Sequence, residues 1–378
     1  MPKPAPEVGA HFFIGIPGPD LDPPTRALLR TVRPGGVILF GRNVRTAARL
    51  ARLTARLRDL LGEDLLVCLD HEGGRVNRLK DLTGAVPSAP QLAHLGDERF
   101  AREHGRLTGR LLREVGVNVN LAPVLDLWLR PGVDNSVPDR CWSHDPRAVA
   151  RFADAFLRGM QSEGVLGCGK HFLGYGAADK DPHQVLPRVN RSARELERED
   201  LRPYADLWDG GKGPLRMIML SHAHLRAYHR GRLTPACVSP KLMGGILRQR
   251  LGFQGVTITD DLEMGAITRT MTVGEAAVGC LRNGVDLVLI CHTAKAIREG
   301  HRAAFAAARK GRLTDRLLAE SRARLAGLRE DLAPAKAFSP RRWEALLGEI
   351  RRFAARVFAR LPDRLKVMDA RWGPIGEE

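Results

Sequence analysis

Residues 169–187 read GKHFLGYGAADKDPHQVLP, and they bring Lys170, His171, Asp181 and His183 into one glycine-rich connection. A carboxylate two residues before a histidine can hold the imidazole in one tautomer and stabilise its protonated form. Asp181 and His183 therefore have the make-up of a tuned general acid/base. The same letters also suit a polar surface loop in which Asp181 caps a helix, and spacing leaves both readings open. A second candidate is VTITDDLEMG, residues 256–265. Side chains alternate along a strand, so one of Asp260 and Asp261 faces inward while the other turns away or caps the next segment. An inward carboxylate there can act as a nucleophile or an electrostatic stabiliser. Asp260 is the one read as chemical, and Asp261 as the cap, with Glu263 a first-turn acid.

Three more stretches carry polar groups suited to a small ligand. Asp70-His71-Glu72-Gly73-Gly74-Arg75, with Arg78 beyond it, offers a carboxylate and charged donors of the kind that grip sugar hydroxyls. DNSVPDRCWSHD, residues 134–145, adds Arg140, which reads equally as a structural ion-pair partner. SHAHL, residues 221–225, holds His222 and His224, as core histidines or as metal ligands lacking placeable acids.

These residues need a scaffold that brings them together. Short apolar runs at 11–16, 36–40, 65–69, 117–122, 165–167, 216–220, 256–259 and 286–290 alternate with helical stretches at 24–31, 46–61, 100–115, 148–163, 193–208, 241–251, 272–283, 295–309 and 314–328. Nearly continuous apolar strands separated by helices indicate a parallel sheet covered on both faces. Eight such units favour an α/β fold in the form of a closed (β/α)8 TIM barrel over an open sheet. Asp70, Asn120, Lys170, His171, Ser221, His222, Asp260 and His292 all fall at or near the C-terminal ends of predicted strands, which in a barrel meet at one mouth.

The 378 residues are 44% hydrophobic but only 5% aromatic, so an aliphatic core is expected. A formal charge of +17 invites a nucleic-acid reading. The arginines are spread along the chain with no aromatic-interleaved patch, so a solvated arginine-rich surface is expected, with no nucleic-acid partner. The six cysteines form no CxxC pair, and Cys68, Cys168 and Cys291 sit in or beside buried strands. This suits a reducing compartment and argues against a disulfide scaffold or a zinc site. Neither a signal-peptide core nor a membrane span is legible. The chain reads as a cytoplasmic monomer with no membrane partner, no metal and no cofactor. The barrel is expected over 1–332. A basic helical tail follows over 333–378, with a linker-like APAKAFSP, a helix at 340–360 and a polar end at 373–378.

Taken together, these stretches resemble the single-domain bacterial β-N-acetylglucosaminidases (β-N-acetylhexosaminidases) of glycoside hydrolase family 3, over about residues 12–328. That family's KHFPGHG followed by D-x-H is matched by Lys170–Gly176 and by Asp181-Pro182-His183. Its D-Q-E-G-G-R-V-x-R is matched by Asp70–Arg78, its G-D-R-S-F by residues 138–142, and its [ST]-D-x-L-x-M by Thr259–Met264. The resemblance implies a retaining two-step hydrolysis of terminal β-linked N-acetylglucosamine. Asp260 would be the nucleophile, and His183 with Asp181 the acid/base on a mobile loop. This departs from the two carboxylates of most retaining enzymes. Asp70, Arg78, Arg140, Lys170 and His171 would bind the sugar. It also implies a carbohydrate substrate, often a muropeptide fragment from cell-wall recycling. Departures are Leu173 and Tyr175 in place of the family's proline and second histidine, His71 in place of its glutamine, and Cys141-Trp142 in place of Ser-Phe. Loss of the proline removes a φ constraint. Phosphorolysis, which a histidine acid/base permits because it does not repel phosphate, and a non-catalytic sugar-binding role on the same scaffold are the alternatives.

Overall fold

The computed structural model describes residues 7–130, 132–137, 139–229 and 231–366. Pro138 of the 138–142 motif and the expected polar end at 373–378 lie outside them. Eight parallel strands close into a barrel: β1 (Phe12–Gly15), β2 (Gly36–Ile38), β3 (Leu66–Leu69), β4 (Val119–Asn120), β5 (Leu166–Phe172), β6 (Met217–Leu220), β7 (Val256–Asp261) and β8 (Leu287–Ile290). Each pairs with its neighbours in chain order, and β1 pairs with β8 through Phe12–Val288, Phe13–Leu289 and Ile14–Ile290. This is the expected TIM barrel.

The apolar runs are unbroken because both strand faces are buried. Phe13, Ile38, Leu66, Cys68, Val119, Leu166, Cys168, Met217, Met219, Val256, Ile258, Leu287 and Leu289 fill the barrel. Alternate residues such as Phe12, Ile14, Val37, Val67, Val288 and Ile290 face the surrounding helices. The helix Asp315–Glu330 sends Leu325 and Leu328 into the interior cluster. Arg324 of that helix, together with Arg248, pairs at 2.8 and 2.9 Å with Asp286, just before β8, which seals the end of the barrel opposite the mouth.

Three elements differ from expectation. β5 runs on through Lys170 and His171, so these two belong to the strand and not to the loop after it. The connection after β3 contains a small hairpin, His71–Gly73 with Val76–Asn77, and the short helices Lys80–Thr83 and Ala89–His94. The helix expected at 193–208 is broken into Ala193–Glu195, a wide turn over Leu196–Asp200, and Arg202–Trp208. Pro203 explains the break: it has no N–H to donate and is accommodated in the first turn of a new helix.

Beyond the barrel, the helix Pro340–Phe358 buries Trp343, Leu346, Leu347, Ile350, Phe353 and Val357, an i, i+3, i+4, i+7 stripe. It lies on the helix Glu98–Glu114. Arg110 and Glu349 form a two-pronged pair across them (2.5 and 3.0 Å), and Arg342 reaches Glu114 at 2.8 Å. Among the described residues no helix is long and apolar enough to cross a membrane.

Candidate active site

The C-terminal ends of the strands open into a cavity of about 840 Å³. Asp70, Arg78, Arg140, Lys170, His171, Asp181, His183 and Asp260 all line it, so the residues that the resemblance implied for catalysis and sugar binding converge on one site. Of the other polar strand ends, His292 lines the cavity, whereas Asn120, Ser221 and His222 do not. The Asn120 side-chain amide holds the hairpin through His71, accepting from its N–H and donating to its carbonyl at 2.9 Å each.

One wall is a buried lattice of charges. Lys170 Nζ at the end of β5 lies 2.7 Å from Asp70 Oδ1 and 2.6 Å from Glu72 Oε1. Arg140 donates from Nε and Nη2 to the two oxygens of Glu72, 2.8 Å each, and from Nη1 to the Ser136 carbonyl at 2.6 Å. Arg78 Nη2 stands 3.5 Å from Asp70 Oδ2. Burial alone pushes the Glu72 carboxyl up, but Arg140 and Lys170 outweigh it and hold the group well below its ordinary range. Burial likewise works against the charges of Asp70 and Lys170, and their mutual attraction keeps both ionised, the acid shifted down and the amine up. Glu72 had no assigned role in the sequence, although it sits two residues from Asp70 in the same motif. It is the hub that fixes Arg140 and Lys170.

His171 Nδ1 lies 2.7 Å from Asp126 Oδ2, which also accepts from the His171 backbone N–H at 3.1 Å. The carboxylate is the acceptor, so Nδ1 carries the proton and Nε2 is the other active nitrogen. Asp126 was hidden in a long loop. Its one signal is a lone carboxylate in the apolar stretch Val-Leu-Asp-Leu, which is tolerated when buried only with a partner. Tyr175, standing where the family pattern has a histidine, packs edge-on to the His171 ring at 5.2 Å. Its hydroxyl donates to the Asn135 carbonyl at 2.6 Å and lies 3.0 Å from Ser136 Oγ. The substitution thus ties the wall beside His171 to the loop bearing Arg140.

At the end of β7 both aspartates border the cavity but differ in their partners. Asp261 Oδ1 accepts from the amides of Glu263 and Cys291, both at 3.1 Å. Glu263 in turn accepts from the amides of His292 and Thr293 and from the Thr293 hydroxyl. These two acids hold the turn. Asp260 Oδ1 accepts from the Asp261 amide at 2.9 Å, and the carboxylate borders the cavity. Burial pushes its carboxyl up, while His171, His222 and the amide bond pull harder and leave it below the ordinary range.

His183 Nδ1 lies 2.7 Å from Asp181 Oδ1, and the same oxygen accepts the His183 backbone N–H at 2.9 Å. No helix follows Asp181; its carboxylate caps the histidine's own turn. Burial lowers the imidazole pKa, but the hydrogen bond and charge of Asp181, with Asp260 behind, raise it above the ordinary value. The loop is anchored to the turn after β7, with Gly265 N donating to His183 O (3.0 Å) and Ala266 N to Pro182 O (2.9 Å).

His222 is bound to the Asp261 carbonyl at 2.8 Å and His224 to Thr234, so both are structural. Asp261, Cys291 and His292 each place one potential metal-binding atom within 4.8 Å of the others. The Arg42 guanidinium, 3.5 Å from His292 Nδ1 and bonded to the Cys291 carbonyl, sets a cation against that group.

Comparison with known proteins agrees with this geometry. Residues 20–328 match the glycosyl hydrolase family 3 N-terminal domain. A β-hexosaminidase from Thioalkalivibrio sulfidiphilus is 37% identical over 286 residues, covering 74% of this chain and 80% of the relative. One from Psychromonas ingrahamii is 33% identical over 284 residues, covering 74% and 82%. Among solved structures, a family 3 β-N-acetylglucosaminidase from Paenibacillus sp. superposes with a TM-score of 0.84 at 31% identity, covering 94% of this chain and 69% of that one. NagZ from Neisseria gonorrhoeae, in complex with zinc ion, gives 0.76 at 27% identity, covering 92% and 98%.

Proposed function

The chain belongs to glycosyl hydrolase family 3, and we propose that it is a retaining exo-β-N-acetylglucosaminidase using Asp260 as nucleophile and the Asp181–His183 pair as acid/base. The observation that carries this reading is that Asp260 and His183 border the same cavity, beside a wall of fixed charges. In the first step Asp260 attacks C1 of the sugar and forms a glycosyl ester. His183 gives its proton to the departing glycosidic oxygen, and Asp181 stabilises the imidazolium beforehand. In the second step His183 removes a proton from water, which attacks C1 and releases Asp260. Two inversions give net retention.

Asp70, Lys170 and Arg78 are proposed to hold the sugar hydroxyls, His171 to meet the ring through Nε2, and Arg140 to complete the wall. Lys170, Arg140 and Arg78 each lie within ion-pairing distance of Asp70 or Glu72, and hydrolysis rather than phosphorolysis is the proposed reaction. A muropeptide fragment is the proposed natural substrate. The cytoplasm is the proposed location, in keeping with six buried cysteines that are all free thiols.

The test is turnover of an aryl β-N-acetylglucosaminide and of a disaccharide muropeptide by wild type, Asp260→Ala and His183→Ala. Asp260→Ala should abolish both reactions. His183→Ala should lose the disaccharide reaction and keep more of the aryl one, because a phenol leaves without a proton. Products formed only with added phosphate would overturn hydrolysis. Absence of turnover by wild type on either substrate would leave the sugar-binding role.

A further inference from the structure

The helix Pro340–Phe358 lies beyond residue 328, where the family domain ends, yet two contact routes lead from it and the short segment after it to the charged wall of the cavity. In the first, the Phe353 ring stacks on the His104 ring, with centroids 6.0 Å apart and planes within 11°. His104 is buried in the helix Glu98–Glu114, and its Nε2 lies 3.4 Å from the carbonyl of Glu72. The same nitrogen abuts Gly73 so closely that a Cβ there would stand 3.0 Å from it. Gly73 has φ +98°, a conformation suited to glycine, so the hairpin is moulded to the ring. Glu72 then grips Arg140 and Lys170.

The second route is shorter. The carbonyl of Leu365 accepts from the Gln91 side-chain amide at 2.7 Å, and Gln91 Oε1 accepts from the backbone of Ser88. Ser88 follows Pro87, whose carbonyl would lie 2.3 Å from a Cβ on Gly73. Both routes meet at Gly73, and the first also reaches Glu72 beside it.

We infer that this C-terminal segment holds the sugar-binding hairpin in register, with Phe353 and His104 as positioning residues for Glu72 and, through it, for Arg140 and Lys170. Neither residue lines the cavity, so neither touches substrate. The inference rests on the reading of this wall as the sugar-binding surface. A loosened wall weakens substrate and transition state alike, so the effect should appear in KM with kcat little changed.

The test compares Phe353→Ala with Trp343→Ala, which removes an equally buried ring from the same helix away from His104. Phe353→Ala should raise KM for the aryl glycoside about five- to tenfold with kcat within about twofold, and Phe353→Leu, which refills the space, should restore KM. Trp343→Ala should lower the melting temperature and leave KM as in wild type. His104→Phe keeps the ring stack but removes the nitrogen facing Glu72, and should also raise KM; it serves if Phe353→Ala fails to fold. Hydrogen exchange of the amides at 71–77 gives a readout independent of activity, and should quicken in Phe353→Ala but not in Trp343→Ala. Wild-type exchange at 71–77 in Phe353→Ala, or equal effects of Phe353→Ala and Trp343→Ala on KM, would overturn the inference. An inactive wild type with faster exchange in Phe353→Ala would overturn the proposed activity and leave the brace standing.

Discussion

The backbone N–H of Gly265 donates a 3.0 Å hydrogen bond to the carbonyl of His183. This bond joins the loop carrying the proposed acid/base to the turn that follows Asp260, so the two reacting groups share one support. A Cβ on residue 265 would lie 2.4 Å from the Gln184 carbonyl and 2.6 Å from that of His183. Backbone oxygens cannot yield as a flexible side chain does, so Gly265→Ala must lift the loop. Misplacing a catalytic group by about 1 Å costs on the order of 100-fold. The expected outcome is a loss of that order in kcat/KM for the disaccharide and a smaller loss for an activated aryl glycoside. Equal losses on both substrates would show that the damage is not to proton delivery.

The two proposed catalytic groups are shifted in opposite directions, which fixes the shape of the pH profile. His183 titrates above its usual 6.5, because the bond and charge of Asp181 outweigh burial. It keeps its proton to higher pH than a free imidazole does, so the alkaline limb of kcat/KM for the disaccharide should lie above 6.5. Asp260 titrates below its usual 3.8, because His171 and His222 outweigh burial, so the acid limb lies below that value. Asp181→Asn removes the main cause of the His183 shift. Its alkaline limb should move to lower pH while the acid limb stays, a comparison read from kcat/KM measured across pH 3–10.

Much of this site was legible because its residues are polar groups at the ends of apolar strands. Asp70, Lys170 and Asp260 are interruptions in buried runs, and a barrel gives all such interruptions one destination. The spacing of Asp181 and His183 suggested their contact but left a helix-capping aspartate equally open. Glu72 and Asp126 were not assigned because their roles depend on partners far along the chain, Arg140 and His171, which are 68 and 45 residues away. The extent of β5 was missed for another reason. Lys170 and His171 read as the start of a loop, yet the Lys170 charge is matched by Asp70 and Glu72 and His171 is hydrogen-bonded to Asp126, and a strand tolerates buried polar groups when they are paired. The break near Pro203 was visible in the sequence as a proline, but the surrounding helical pattern masked it.

Glu72 supports two cations, and removing its charge strands both. Glu72→Gln keeps the shape but leaves Arg140 and Lys170 to share a neutral amide and the carboxylate of Asp70. Breaking a buried ion pair from one side costs about 3–5 kcal/mol. A fall of that size in unfolding free energy is expected by urea denaturation at pH 7, together with a raised KM. A loss under about 1 kcal/mol would mean that Arg140 finds other acceptors, with the Ser136 carbonyl the nearest at 2.6 Å.

His71 and His104 govern how the fold responds to mild acid. Burial pushes their imidazoles down to about 3 and about 4, His71 also feeling the charge of His104. The unfolded chain protonates both near 6.5. Between pH 6.5 and about 4 the unfolded state therefore binds protons that the native state refuses, and stability must fall as pH falls through that window. For His104 the loss is on the order of 3 kcal/mol across it. Glu72 acts in a different range: its depressed carboxyl contributes stability that is present above its unfolded value near 4.5 and is lost only as pH drops through its low native value. His104→Phe, which keeps the ring against Phe353, should flatten the dependence of the urea midpoint on pH between 6.5 and 4.5. It should leave the loss below pH 4 in place. An unchanged slope in the upper window would assign the acid sensitivity to the other histidines that burial shifts down, His71, His11, His229 and His301.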